Sequence, residues 1–257
     1  MDYLIIIIVA LSGAYVSFIS GFGLGTLLLP AFMMFFTAPV AIVTTAVVHM
    51  LNNLFKLGLV GKYADKKVLL YFGFTSVIGA LTGAWLLSCI NIGNVIWSYN
   101  ISSHEFNVTS IKVIMGILIL VFTILEMNTR FQSLAIGKKW LPVGGLLSGF
   151  FGGLSGHQGA LRSAFLMKVG LSKESFVGTR AVCAFLVDTS RIAVYVTLIR
   201  ESFYQINIKL VIVAAIAAFT GAWYGNRWMK KTEIESVNKF ISIALVIFSI
   251  LLIAGIV

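Results

Sequence analysis

The chain has 257 residues, of which 59% are hydrophobic and only 11% are charged, and its mean hydropathy is +1.00. A soluble domain carries about 25% charged residues, and repeated apolar runs of about 20 residues indicate an integral membrane protein instead. The net charge of +10 does not indicate nucleic-acid binding, because the basic residues lie in short connections between apolar runs, where they act as topology signals.

The apolar segments follow one another along the whole chain. They lie at about 3–20, 26–36, 38–55, 68–90, 110–126, 140–155, 160–168, 175–199, 208–226 and 236–256. Three of them are shorter than the roughly 20 residues of a bilayer crossing. Glycine clusters at 20–25 and 152–159 precede two of these short segments. Short, glycine-interrupted segments at matching places in two halves are typical of the broken helices of secondary transporters.

The basic connections predict the orientation of the chain. Connections 56–67, 127–139 and 227–235 are rich in Lys and Arg and are expected to be cytoplasmic, whereas 91–109 has neither and is expected outside. The N-terminus lacks the basic region and cleavage pattern of a signal peptide, so the first apolar run is expected to be a membrane segment.

These orientations predict an all-α integral membrane protein with about eight long hydrophobic segments and two inverted repeats. Each repeat is expected to be a glycine-broken helical hairpin followed by three transmembrane helices. The first repeat, 1–128, contains hairpin 3–36 and spans 38–55, 68–90 and 110–126. The second repeat, 139–257, contains hairpin 140–168 and spans 175–199, 208–226 and 236–256. Because each repeat makes five passes, the second copy is inverted relative to the first.

Residue matches between the halves support a duplication. Aligning Gly25 with Gly159 brings the two glycine tips into register. When the offset is increased by one residue, 45–56 aligns with 180–191. In that alignment Asn53 matches Asp188 and Lys56 matches Arg191.

Two glycine motifs carry a family resemblance. The spacing Gly21-x-Gly23-x-Gly25-x4-Pro30 and the phrase GGLLSGFFGGLSG at 144–156 resemble the two repeats of the sulfite exporter (TauE/SafE) family of membrane transporters. The resemblance implies transport of sulfite, organosulfonates or related small organic anions. The chain departs from the family pattern at Leu24, at His157-Gln158 and at Ala164.

The stretch around Arg162 is polar within an apolar region, and a charge at the bilayer centre costs at least about 2.5–3.5 kcal/mol on insertion scales. Free amides at a half-helix N-terminus together with a guanidinium favour an anion. The predicted substrate-binding residues are Gly21, Gly23, Gly25, Thr26, Ser155, Gly156, His157, Gln158, Gly159 and Arg162. The alternative is that Arg162 snorkels or pairs structurally with Asp188.

Four further polar residues are candidates for coupling or gating: Asn52, Asn53, Asp188 and Arg191. Asp188 and Arg191 are three residues apart, hence on one helix face. They are either a structural ion pair or part of the site, where Asp188 takes up a proton or balances the charge of Arg162 when the site is empty. His49 is a weaker candidate, and Arg180 is expected at the membrane interface.

The function that these features predict is a secondary transporter for small organic or sulfur-containing anions in the cell membrane. A coupled proton or cation is a further expected partner besides the substrate and the lipid bilayer. The alternatives are an anion channel and a membrane-embedded enzyme. No cofactor or metal is expected, because the sequence has no H-E-x-x-H motif and no P-loop.

Overall fold

The computed structural model describes residues 2–19, 23–90, 94–101, 104–132, 136–167, 169–198, 200–228 and 235–257. The helices of the first half are α1 (Asp2–Ile19), α2 (Leu24–Met33), α3 (Ala38–Val60), α4 (Lys66–Val68), α5 (Phe74–Cys89), α6 (Ser110–Met127) and α7 (Thr129–Gln132). Those of the second half are α8 (Leu141–Ser155), α9 (Gly159–Leu166), α10 (Lys173–Leu198), α11 (Arg200–Tyr204), α12 (Ile208–Trp228) and α13 (Glu235–Ile253). A π-helical turn, Leu69–Gly73, joins α4 to α5, and 3-10 turns lie at Gly61–Tyr63 and Lys138–Trp140.

Several helices are long and apolar enough to cross a bilayer. Within the described residues these are Ala38–Tyr63, Lys66–Cys89, Ser110–Met127 and Ile208–Trp228, and Tyr3–Phe18, Leu24–Met33 and Lys239–Ile253 are shorter apolar helices. Large apolar side chains such as Phe74 and Ile216 are exposed on the outer faces of these helices, as expected where lipid replaces water. The fold is therefore that of a helical, multi-pass membrane protein.

A glycine in the left-handed backbone conformation ends α8, the first helix of the second hairpin. Gly156, which caps α8, has φ +83°, a conformation that disfavours any residue with a Cβ atom. The chain then passes through His157 and Gln158, and α9 begins at Gly159. The break that the glycine cluster predicts is therefore present.

Glycines bring two pairs of helices into backbone contact. On α8, Gly145, Gly149 and Gly153 face Phe72, Ser76 and Ala80 of the helix Lys66–Cys89, in the same order along both helices. The two helices therefore run parallel, and a Cβ atom at Gly149 would lie 2.0 Å from the carbonyl oxygen of Ser76. In the same way, Gly221 and Gly225 of α12 pack on Leu11 and Tyr15 of α1. Small residues of this kind allow close helix packing in membranes.

Two further pairs of helices pack in antiparallel directions at the centre of the fold. Helix α3 meets α10, with Val60 beside Gly178 near one end and Asn53 beside Asp188 further along. Helix α6 meets α13, where Gly116 packs on Ile253. The largest buried apolar cluster joins these helices to α1, α2 and α12.

The structure differs from the sequence prediction at two places. Helix α3 continues to Val60, five residues beyond the predicted segment, and Lys56 lies within the helix rather than in the connection. The predicted outer connection forms an antiparallel hairpin of strands β1 (Val95–Ile101) and β2 (His104–Thr109). The Tyr99 hydroxyl donates to the Ala254 carbonyl at 2.6 Å, which fixes this β-hairpin on the end of α13.

Candidate functional site

A small cavity lies where α3 and α10 meet the two hairpins. Its volume is about 30 Å³, enough for a water molecule. The polar and charged side chains that line it are Ser17, His49, Asn53, Lys56, Arg162 and Arg180. The first hairpin also contributes the backbone of Gly23 at the start of α2.

Three of the lining side chains are basic, and all three are buried. Lys56 is 7% exposed, Arg162 is 4% exposed and Arg180 is 9% exposed. Among the described residues that line the cavity, none is acidic. Buried charge of one sign is unfavourable unless an opposite charge compensates it. The lining of the cavity is therefore basic, and its charge is complementary to that of an anion.

Each cation is held by a different contact. The Lys56 ammonium donates to the Ser17 hydroxyl at 2.6 Å and lies 4.9 Å from the centre of the Phe18 ring. Arg162 donates through Nη1 to the side-chain carbonyl of Gln158 at 2.8 Å. The Nε of Arg162 is buried and has no hydrogen-bond partner among the described residues, so a donor remains for a ligand.

The third cation is placed by an aromatic ring and influenced by a buried acid. The Arg180 guanidinium lies 5.2 Å from the centre of the Phe176 ring. Glu126 of α6, which is 7% exposed, attracts Arg180 electrostatically. Glu126 does not line the cavity, so it offsets the charge of Arg180 without occupying the anion position.

A hydrogen-bonded network adjoins the cavity. Asp188 is fully buried and is contacted by His49 Nδ1 at 2.7 Å, Asn53 Nδ2 at 2.7 Å and Arg191 Nη2 at 2.8 Å. The predicted Asp188–Arg191 ion pair is thus present. His49 and Asn53 both contact Asp188 and line the cavity, so they connect the buried carboxylate to the candidate anion position.

Arg162 and Asp188 form no ion pair with each other in the described structure. The two oxygens of Asp188 are engaged by α3 and by Arg191, whereas Arg162 donates to Gln158 on its own hairpin.

The tip of the second hairpin is buried but supports the cavity rather than lining it. His157 stacks on Phe122 with the ring centres 5.9 Å apart, and its Nδ1 lies 3.0 Å from the Ser155 hydroxyl. The Gln158 carbonyl accepts from the Ser148 hydroxyl at 3.2 Å. Of the predicted residues at this tip, Ser155, Gly156, His157, Gln158 and Gly159, none lines the cavity in the described part of the chain.

The two hairpin tips meet. A Cβ atom at Gly25 would lie 3.5 Å from the Gly156 carbonyl oxygen and 3.6 Å from the His49 ring. Thr26 is buried next to this contact, and its amide donates to the Gly23 carbonyl at 3.1 Å. The predicted residue Gly21 lies outside the described residues.

Sequence reasoning missed two cations of the cavity. Lys56 was expected in a connection and Arg180 at the interface, yet both are buried in the cavity wall. Helical spacing could have found them, because His49, Asn53 and Lys56 share one face of α3 and Arg180, Ala184 and Asp188 share one face of α10. Asn52 is buried, its side-chain amide has no hydrogen-bond partner among the described residues, and it does not line the cavity.

The apolar helices, the broken hairpins and the lipid-facing side chains define a helical, multi-pass membrane protein. In the described residues no group of His, Cys, Asp or Glu could hold a metal ion. A sequence model of the family described as sulfite exporter TauE/SafE matches residues 5–252. Since this covers nearly the whole chain, the chain belongs to the sulfite exporter TauE/SafE family of membrane transporters, and the resemblance carried by the two glycine motifs is confirmed. No curated protein and no solved structure gives a match.

Proposed function

We propose that this chain is a secondary transporter that moves small sulfur-containing or organic anions, such as sulfite or organosulfonates, across the cell membrane. The observation that carries the proposal is the cavity wall, in which the side chains of Lys56, Arg162 and Arg180 are buried together and no described lining residue is acidic. An oxyanion presents several acceptors to such donors, and Arg supplies planar donors suited to them.

The proposed mechanism is alternating access, with the cavity captured in a closed form. A volume of about 30 Å³ is too small for a sulfonate, so the anion enters when the hairpins separate from α3 and α10. The hairpin tips meet through Gly25 and Gly156, and glycine allows the backbones to approach each other and a ligand closely. Movement of either tip would open the cavity toward one face.

The packing supports the proposed inverted repeat, with 1–128 and 139–257 as its halves. In the proposed repeat, α1 corresponds to α8 and α12 corresponds to α5. The contact between α1 and α12 is therefore equivalent to the contact between α8 and α5, and both pairs are parallel and packed through glycines. The equivalent helices α3 and α10 meet each other in antiparallel directions, as a two-fold axis in the membrane plane requires. The matched residues Asn53 and Asp188 are in direct contact, as expected for equivalent positions near such an axis.

The Asp188 network is the proposed coupling element. Because His49 and Asn53 contact both Asp188 and the cavity, arrival of an anion changes the electrostatic environment of the carboxylate. Proton uptake by Asp188 or His49 would couple accumulation of the anion to a proton gradient. Without coupling, an inside-negative potential favours export of a monoanion by about 2.3 kcal/mol per 100 mV.

Uptake of sulfite into proteoliposomes tests the proposal. Wild-type protein is expected to give saturable uptake, and Arg162→Ala is expected to abolish it. The matched control is Arg227→Ala, which removes an arginine that stacks on Trp223 outside the cavity and should leave uptake unchanged. Size-exclusion profiles check that both variants are folded. Normal uptake by Arg162→Ala would contradict the proposed anion site.

Accessibility of the cavity separates a transporter from an anion channel. Ala184 lines the cavity and is 2% exposed. A cysteine at this position reports access to the cavity without adding a charge to its lining. The native Cys89 and Cys183 are replaced by serine and alanine, respectively. A transporter predicts labelling by an impermeant thiol reagent from either face, with anion binding suppressing access from both. Flux that rises linearly with sulfite concentration would instead favour the channel.

A further inference from the structure

A second, larger cleft lies at the end of the fold where two parallel helices begin. It has a volume of about 560 Å³, in the range of sites for small molecules. One wall comes from the start of the helix Lys66–Cys89 and the other from the residues around the start of α8. The loop that follows α9 closes the cleft through Val169, Gly170 and Leu171. Neither the anion cavity nor the hairpin tips contribute to it.

The charge of this cleft is positive. Lys67, Lys138 and Lys139 line it, and the acidic residue among its described lining residues is Asp65. Asp65 is already engaged, since its carboxylate accepts from the Val68 amide at 2.9 Å and caps the helix that begins at Lys66. Three ammonium groups therefore face the cleft with one capping carboxylate among them. A phosphate-bearing anion complements this arrangement.

The floor and the surroundings of the cleft are apolar. Val68, Leu141, Pro142 and Leu171 line it beside the lysines. Beside the cleft, the outer surface of the helix Lys66–Cys89 is apolar, with Leu70 66% exposed and Phe74 63% exposed. On α8 the matching exposed side chains are Val143, Leu146 and Leu147. A basic cleft beside an apolar outer surface fits a molecule with an anionic head and hydrocarbon chains.

Aromatic residues place the cleft at the level of the membrane interface. Tyr71, which lines it, is 55% exposed, and the neighbouring Trp140 is 59% exposed. Exposed Trp and Tyr are enriched where hydrocarbon meets headgroups. Basic pockets between membrane helices at that level attract anionic headgroups.

We propose that this cleft binds the headgroup of an anionic phospholipid, with the lysines contacting the phosphate and the acyl chains lying on the apolar outer surface of the two helices. The proposal is independent of the transported substrate. A phospholipid is favoured over free phosphate because apolar side chains line the basic cleft and cover the helix surfaces beside it, and a soluble anion makes no use of them.

Native mass spectrometry of the full-length protein in detergent tests the site, with phosphatidylglycerol as the titrated lipid. The test variant is Lys67→Gln/Lys138→Gln/Lys139→Gln. The control is Lys62→Gln/Lys66→Gln/Lys209→Gln, which removes the same charge from lysines that do not line the cleft. Because a surface lysine contributes about fivefold to anionic-lipid affinity, the test variant should lose on the order of 100-fold. The control should keep the wild-type affinity.

Two further arms identify the ligand. Phosphatidylcholine, which has no net charge, and inorganic phosphate are titrated against protein that carries phosphatidylglycerol, and neither is expected to displace it. Equal losses in the two triple variants, or retention of phosphatidylcholine as strong as that of phosphatidylglycerol, would overturn the proposal. Displacement by inorganic phosphate would show a site for a soluble oxyanion and would also overturn it. Sulfite uptake by the test variant in lipid of fixed composition reports separately on the transport function.

Discussion

Alanine at Gly149 should weaken the contact between α8 and the helix Lys66–Cys89. Its Cβ atom would lie 2.0 Å from the Ser76 carbonyl oxygen, whereas ordinary van der Waals contact begins at 3.4 Å, so the two atoms must separate by 1.4 Å (3.4 minus 2.0). Gly145 and Gly153 make equally close contacts one turn away on either side, so the helices cannot pivot to relieve the clash. Overpacking of this kind costs about 1–3 kcal/mol.

The assay is thermal unfolding of purified protein, followed by tryptophan fluorescence. A loss of that size corresponds to a fall in Tm of roughly 2–10 °C for a chain of this length. The matched control is Gly58→Ala, at a helical position where no atom lies within 4 Å of the added Cβ, and its Tm should be unchanged or slightly higher. Equal Tm values for the two variants would refute the close backbone packing of these helices.

Two other changes test the buried network and the hairpin tip. Asp188→Asn removes the charge that compensates Arg191. Because breaking a buried ion pair costs about 3–5 kcal/mol, Tm should fall on the order of 10 °C. A Tm equal to that of the wild type would show that the pair does not contribute to stability. Gly156→Ala and Gly170→Ala both place alanine at a φ above +80°, but only at Gly156 would the new Cβ lie 2.8 Å from a guanidinium nitrogen, that of Arg191. Gly156→Ala should therefore lower Tm further than Gly170→Ala, and the reverse order in the same fluorescence assay would contradict this contact.

Helix positions could be predicted from the sequence because the length of an apolar run is a local property. The break near Gly156 could also be predicted, because a glycine cluster interrupts the apolar run there. The β-hairpin was missed although alternating β-branched and aromatic residues such as Val95, Trp97 and Tyr99 carry its signal. The lack of basic residues in this connection predicts its side of the membrane but not its conformation.

The candidate site was predicted in part. Arg162 was identified because one arginine in an apolar run is conspicuous, and it does line the cavity. Lys56 and Arg180 were missed because they lie near helix ends, where a basic residue usually reaches the membrane surface. Burial of these two side chains depends on how α3 and α10 pack on the hairpins, and hydropathy along the chain carries no information about that packing.

The most direct test of the account is calorimetric binding of sulfite to purified protein. We expect one site in the wild-type protein and its loss in Lys56→Gln/Arg180→Gln, because each charge-assisted hydrogen bond contributes about 1.5–3 kcal/mol. The Arg227→Gln variant, altered outside the cavity, should bind as the wild type does. Sulfite binding of unchanged affinity in Lys56→Gln/Arg180→Gln would contradict the claim that the buried cations form the anion site.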